Sequence, residues 1–119
     1  LGDQFLDNLQ IWRDQMALGL TTWAEMPEPS RSDCHAWGAS PNIEFYRILL
    51  GIDSDAPGFR KIRIAPSLGK LKEVSGTIPH PLGSVTAAYK LDERGEGTAR
   101  LVLPEGTTGY LSGMEKKSR

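Results

Sequence analysis

The segment TTWAEMPEPSRSDCHAW, residues 21–37, carries the densest group of side chains in this chain that could do chemistry. Glu25 follows Trp23-Ala24, and a carboxylate placed beside an aromatic residue could serve as a general base. Taken alone, the residue is more typical of a solvated loop glutamate, because most carboxylates in proteins have ordinary surroundings. The residue type alone therefore does not distinguish a catalytic carboxylate from a solvated one, and the neighbouring residues have to be considered.

Two tryptophans, Trp23 and Trp37, flank this polar segment. An aromatic face suits the C–H-rich face of a pyranose, and an indole N–H can donate to a hydroxyl, so the pair could form a sugar platform. They could instead pack in a core. His35 could contact a ligand or be a structural histidine. Arg31 and Asp33 could pair with each other and brace the loop, or contact a ligand.

The composition limits the classes of function. Of the 119 residues, 39% are hydrophobic and 24% are charged, which is typical of a globular protein. The formal net charge is −1 and there is no long basic run, which argues against nucleic-acid binding. No apolar run approaches the roughly 20 residues that cross a bilayer, so no membrane partner is expected. One cysteine and two distant histidines predict neither a disulfide nor a metal site, and no cofactor is expected.

Helical periodicity marks the first half of the chain. Apolar residues recur at spacings of four, three and four from Phe5 to Met16, which places them on one helix face. Asp3 is a reasonable N-cap for this helix, and Gly19 is a plausible end. A second helix is expected over residues 40–51, because a Ser-Pro pair opens that stretch and a glycine closes it.

The second half of the chain changes to an alternating pattern. Apolar and polar residues alternate over 61–64, 74–78 and 85–91, and residues 101–103 form another short apolar run. A glycine-containing stretch at 93–97 predicts a hairpin turn. Four or five antiparallel strands are expected, most simply as part of a β-sandwich.

The predicted fold class is therefore α+β, with two helices followed by an antiparallel β-sandwich-type module. We expect residues 1–54 to contain the two helices, with a loop over residues 23–34 between them, and residues 55–119 to be all or part of a β-sandwich domain. The apolar helix faces are too broad for these elements alone to cover. They predict contact with an upstream part of the same polypeptide, or self-association of the fragment. Because the chain opens without an initiator methionine, we expect it to be a processed or excised piece of a larger protein.

Several motifs, in order and with compatible spacing, resemble the C-terminal region of bacterial α-L-rhamnosidases. They lie at residues 21–25, 32–41, 50–52, 57–59 and 64–66. These enzymes are inverting glycoside hydrolases with an (α/α)6-barrel catalytic domain followed by a β-sandwich domain. The resemblance implies that the two helices are the last of a truncated barrel and that the strands belong to the C-terminal sandwich. It implies a rhamnose-containing oligosaccharide or glycoside as substrate.

The resemblance also suggests roles for individual residues. Glu25 matches the general base, with Glu28 as the second acidic residue that fits, and His35 matches a sugar-contacting histidine. Trp23 and Trp37 would be pocket aromatics. No residue of the chain matches the general acid, so we expect that acid outside these 119 residues and an inactive isolated chain. Two alternatives remain: a related hydrolase acting on another α-L-sugar, and a non-catalytic carbohydrate-binding or interaction module.

Overall fold

The computed structural model describes residues 1–112 as a helical part followed by two small β-sheets. The helical part contains two consecutive helices, a loop, and a third helix whose last turn widens to a π-helix. In order, these are α1 (Gly2–Asn8), α2 (Gln10–Ala17), a 3-10 turn (Ala36–Ala39), α3 (Pro41–Glu44) and the π-helical turn (Phe45–Leu49). None of the helices in the described part of the chain has the length and apolar character to cross a membrane.

The single N-terminal helix predicted from the sequence is divided at Leu9. Its first helix begins after Leu1 rather than at an Asp3 cap, so the predicted N-cap is wrong. The reason is a tertiary contact: the backbone N–H of Gly2 donates to Ser67 Oγ at 2.9 Å. A Cβ at Gly2 would lie 2.1 Å from the carbonyl oxygen of Ser67, so the helix start is pressed against a distant loop.

The buried face of these two helices also differs from the predicted one. Leu6 and Gln15 are buried, whereas Met16, which the spacing places on the inner face, is exposed. Phe5 makes an edge contact with Phe45 of the π-helical turn at 5.1 Å between ring centroids. Of the predicted apolar face, Phe5, Leu9 and Trp12 are half-buried and Met16 is exposed, so this face is only partly covered.

The strands form two three-stranded sheets. The first sheet has the order β1-β2-β6 and the second the order β3-β4-β5. All neighbouring strands are antiparallel except β2 and β6, which are parallel. The strands are β1 (Ile52–Ser54), β2 (Lys61–Ile64), β3 (Glu73–His80), β4 (Gly83–Leu91), β5 (Gly97–Val102) and β6 (Thr108–Leu111).

The predicted α+β class and the predicted alternating strands are confirmed. In β4, for example, Val85, Ala87 and Tyr89 are buried. Strands β1 and β6 were not predicted, because β1 spans three residues and β6 is exposed along its length and lacks an apolar alternation. Strand β1 pairs with β2, and the division of the chain after residue 54 stays a prediction.

The core lies between the two sheets and under the end of the π-helical turn. It consists of seven buried side chains, Leu50, Ile52, Ile62, Ile64, Val85, Ala87 and Tyr89. The predicted end of the second helix at Gly51 is confirmed, with φ at +68°. A Cβ there would lie 2.1 Å from the carbonyl carbon of Ala65, so only glycine allows the chain to pass from helix to sheet so closely. The hydroxyl of Tyr89 donates to the carbonyl oxygen of Leu50 at 2.7 Å and joins the second sheet to this turn.

Removal of the Tyr89 hydroxyl should change the alkaline stability of the chain. Burial raises the pKa of Tyr89 to about 12. The unfolded value is about 10, so the folded state holds the proton more tightly. The resulting stabilisation is complete below about pH 10 and is lost as the pH rises to about 12.

Tyr89→Phe has no such proton to lose. We expect it to cost about 1 kcal/mol near pH 8, where the buried hydrogen bond is lost. The stability advantage of the wild-type protein should then shrink and reverse as the pH rises through the Tyr89 transition, because the rise of the Tyr89 pKa from about 10 to about 12 outweighs one hydrogen bond. Urea titrations at pH values from 8 to 12, the range that ends at the raised pKa, measure this difference. Parallel pH profiles for the two proteins would show that the hydroxyl is not held as described.

The helical part should make the isolated chain associate. Its surface carries large apolar side chains that water would reach in a monomer, and exposed apolar patches favour association. These include Leu1, Ile11, Met16, Leu18, Trp37, Ile43 and Phe45. We expect size-exclusion chromatography with light scattering to show a mass above one copy that rises with concentration. A monomer at all concentrations would contradict this expectation.

Candidate functional site

Residues 21–37 fold back on themselves as two paired arms. The N–H of Glu25 donates to the carbonyl oxygen of Ser32 at 2.9 Å, and the N–H of His35 donates to that of Trp23 at 2.8 Å. The hydroxyl of Thr22 donates to the carbonyl oxygen of Asp33. This pairing brings the first arm, which carries Glu25, beside the second arm, which carries His35.

Helix α2 anchors the first arm and the residue that follows the second arm, through two side chains one turn apart. Gln15 is only 6% exposed, and its Oε1 accepts a hydrogen bond from the N–H of Ala24 at 2.9 Å. The indole N–H of Trp12 donates to the carbonyl oxygen of Gly38 at 2.7 Å, just beyond the second arm. Residues three apart share a helix face, so α2 holds the loop from one side. The sequence pattern gave no sign that Gln15 is an anchor, since a polar residue in a helix is ordinarily solvated.

Three of the four residues predicted for the site line one cleft. This cleft has a volume of about 250 Å³ and contains Glu25, His35 and Trp37 together with side chains of α2. Trp37 is 83% exposed, so its indole faces open space rather than a core. Of the described residues that line this cleft, Glu25 alone carries a carboxylate.

Trp23 lies on the other side of the wall formed by Trp12 and Gly38. It lines a separate groove of about 220 Å³, with Met16 and Phe45 among its neighbours. The structure therefore does not bring the two tryptophans together as one platform. Trp12 contributes to both spaces, a position that its place in the helical periodicity did not reveal.

The carboxylate of Glu25 is held by Arg31. Arg31 Nε donates to Glu25 Oε2 at 3.1 Å, and its Nη2 donates to Glu25 Oε1. The pairing of Arg31 with Asp33 that the sequence suggested is not the ion pair observed. The reason is the fold of the loop, because the pairing of the two arms puts Arg31 across from Glu25.

The second acidic candidate is placed differently. Glu28 lies near the tip of the loop and is exposed, and its Oε2 accepts from the N–H of Ser30 at 3.1 Å. It is not among the residues that line the cleft. The geometry thus favours Glu25 over Glu28 for any chemistry in the cleft. Within residues 1–112, no group of three or more histidine, cysteine, aspartate and glutamate residues is arranged to hold a metal ion.

Loss of the Gln15 amide should release the loop. In Gln15→Leu the buried N–H of Ala24 has no acceptor, and an unsatisfied buried donor costs about 1–3 kcal/mol. We expect the Ala24 amide to exchange with deuterium much faster, as measured by NMR. Gln10→Leu is the matched control, because Gln10 is on the same helix and its side chain bonds only to exposed Asp14 among the described contacts. Unchanged protection of Ala24 in Gln15→Leu would show that the loop does not depend on this bond.

Comparison with known proteins agrees with this fold. A GH78 family rhamnosidase of Bacillus sp. GL1 is 25% identical, with a TM-score of 0.72 over 98% of this chain and 15% of that one. An alpha-L-rhamnosidase from Dictyoglumus thermophilum is 24% identical, with a TM-score of 0.71 over 82% of this chain and 12% of that one. The chain thus spans a small part of both proteins. No curated protein sequence gives a significant match.

The family comparison covers the β part of the chain. The family model of the bacterial alpha-L-rhamnosidase C-terminal domain matches residues 51–117, which begin at the helix-ending glycine and include the six strands of the described residues. This match extends over more than half of the 119 residues. The chain therefore belongs to the family of bacterial alpha-L-rhamnosidase C-terminal domains.

Proposed function

We propose that this chain is the C-terminal part of a glycoside hydrolase that removes terminal α-L-rhamnosyl residues with inversion. One observation carries the proposal: Glu25, His35 and Trp37 line a single cleft beside a fold of this family. The cleft lies before the residues that match the family model, so support for its role comes from its geometry and from the likeness to the Bacillus rhamnosidase.

Glu25 is proposed as the general base. An inverting glycosidase uses two carboxyl groups about 6.5–9.5 Å apart, so that a water fits between the base and the anomeric carbon. Glu25 would take a proton from that water while the water oxygen bonds to the anomeric carbon and the glycosidic bond breaks. A second carboxyl group, which protonates the leaving oxygen, would come from a part of the protein outside this chain.

Trp37 and His35 are proposed to bind the sugar. The exposed indole of Trp37 offers a flat apolar face to the C–H groups of a pyranose. The imidazole of His35 can donate from one nitrogen and accept at the other, which suits a pair of neighbouring sugar hydroxyls. Trp23, which lines the adjacent groove, would support the wall of the cleft rather than touch the same face of the sugar.

The Glu25→Gln variant tests the assignment of the base. In the full-length protein we expect the turnover of an aryl α-L-rhamnoside to fall by about 10²- to 10⁴-fold, the usual contribution of a general base. The change keeps the size of the side chain, so folding should be preserved. Glu28→Gln is the control, and it should retain activity because Glu28 lies outside the cleft. Wild-type turnover in Glu25→Gln would refute the assignment.

A non-catalytic sugar-binding module is the second candidate. It is favoured by the presence of a single carboxylate among the described residues that line the cleft, since hydrolysis needs two. The same assay separates the two candidates. A full-length protein that binds L-rhamnose through Trp37 without releasing it from a glycoside would support the binding module.

A further inference from the structure

The guanidinium of Arg31 and the carboxylate of Glu25 form a two-point contact. Two nitrogens on one edge of the planar guanidinium, Nε and Nη2, donate to the two carboxylate oxygens. Such fork-to-fork pairs fix the plane of the carboxylate as well as its distance, which a lysine ammonium cannot do. The pair therefore determines how Glu25 is oriented at the edge of the cleft.

The environment of this pair differs from that of an ordinary surface ion pair. The side chain of Arg31 is 76% exposed, whereas that of Glu25 is 22% exposed. The glutamate is thus the inner partner, seated in the cleft wall, and the arginine covers it from the solvent side. The backbone of Glu25 is held as well, because its N–H donates a hydrogen bond to the carbonyl oxygen of Ser32 on the opposite arm.

Other ion pairs of the described residues lack this two-point geometry. Arg47 with Glu44 and Lys70 with Asp7 are single contacts between exposed or half-exposed partners. Neither of these acidic residues lines the cleft that contains His35 and Trp37. Only for Glu25, among the described ion pairs, does a two-point contact coincide with a position in that cleft.

We propose that Arg31 is a positioning residue that holds the carboxylate of Glu25 in the orientation needed to activate water. This inference rests on the proposed function of Glu25 as the base. A glutamate has three rotatable side-chain bonds, and holding it in one geometry removes an ordering cost from the reaction. Arg31 acts through Glu25 and makes no bond to the substrate in this scheme.

Kinetics of the full-length protein test the inference. In Arg31→Ala we expect kcat on an aryl α-L-rhamnoside to fall by about 10²-fold, the loss associated with a small misplacement of a catalytic group. KM should be unchanged, because His35 and Trp37 remain. Arg31→Lys should recover only part of the loss, since it keeps the charge and loses the fork. Guanidinium added at millimolar concentration should restore activity to Arg31→Ala and not to Glu25→Gln.

Two further variants separate this role from a purely structural one. The double variant Arg31→Ala/Glu25→Gln should be no slower than Glu25→Gln, because a residue that acts through Glu25 has no effect once Glu25 is disabled. Arg100→Ala, on exposed strand β5, is the control and should retain activity.

The outcomes distinguish this inference from the proposed function. Loss of turnover in Glu25→Gln with wild-type kcat in Arg31→Ala would overturn the role of Arg31 alone. Wild-type turnover in Glu25→Gln would overturn both proposals. A fall in Arg31→Ala that guanidinium does not rescue, with an additive loss in the double variant, would show that Arg31 only braces the loop.

Discussion

The hydrogen bond from the N–H of Ala24 to the side chain of Gln15 is the interaction on which the candidate site depends. It is buried, and it connects helix α2 to the arm that carries Glu25. An unsatisfied N–H at this depth would cost about 1–3 kcal/mol, a large part of the 5–15 kcal/mol that stabilises a typical domain. With that arm fixed, the pairing of the two arms places His35, and Trp37 lies two residues further along the chain. The arm that carries Glu25 is thus held in place by a buried hydrogen bond rather than by a large apolar core.

A second constraint joins the helical part to the sheets. Gly51 passes so close to Ala65 that no side chain fits, and Tyr89 bonds to the carbonyl of Leu50 next to it. These contacts lock the end of the π-helical turn onto the core between the sheets. Because α1 also contacts the π-helical turn through Phe5, the position of the loop is linked to the sheets by a continuous set of packed elements.

The sequence predicted those features that depend on local pattern. The alternation in β4, the glycine at the helix end and the α+β class are all confirmed. What it missed depends on contacts between distant residues. The start of α1 is set by the docking of Gly2 on Ser67, and β6 pairs with β2, which is distant from it in the sequence.

The same distinction applies to the candidate site. Glu25, His35 and Trp37 were predicted from residue type and from the resemblance of their motifs, and the structure brings all three to one cleft. Their roles stay proposals. The anchor Gln15 and the partner of Arg31 were not predictable, because both depend on how the loop folds back and no periodicity encodes that fold.

The most direct measurement is a crystal structure of the full-length protein with L-rhamnose bound. The expected result is a pyranose lying against the indole of Trp37, with His35 within hydrogen-bond reach of its hydroxyls. The carboxylate of Glu25, held by Arg31, should face the anomeric carbon across a gap filled by a water or, in the inverted anomer, by the anomeric hydroxyl that the water becomes. A rhamnose bound at a place that none of Glu25, His35 and Trp37 touches would contradict the proposed site.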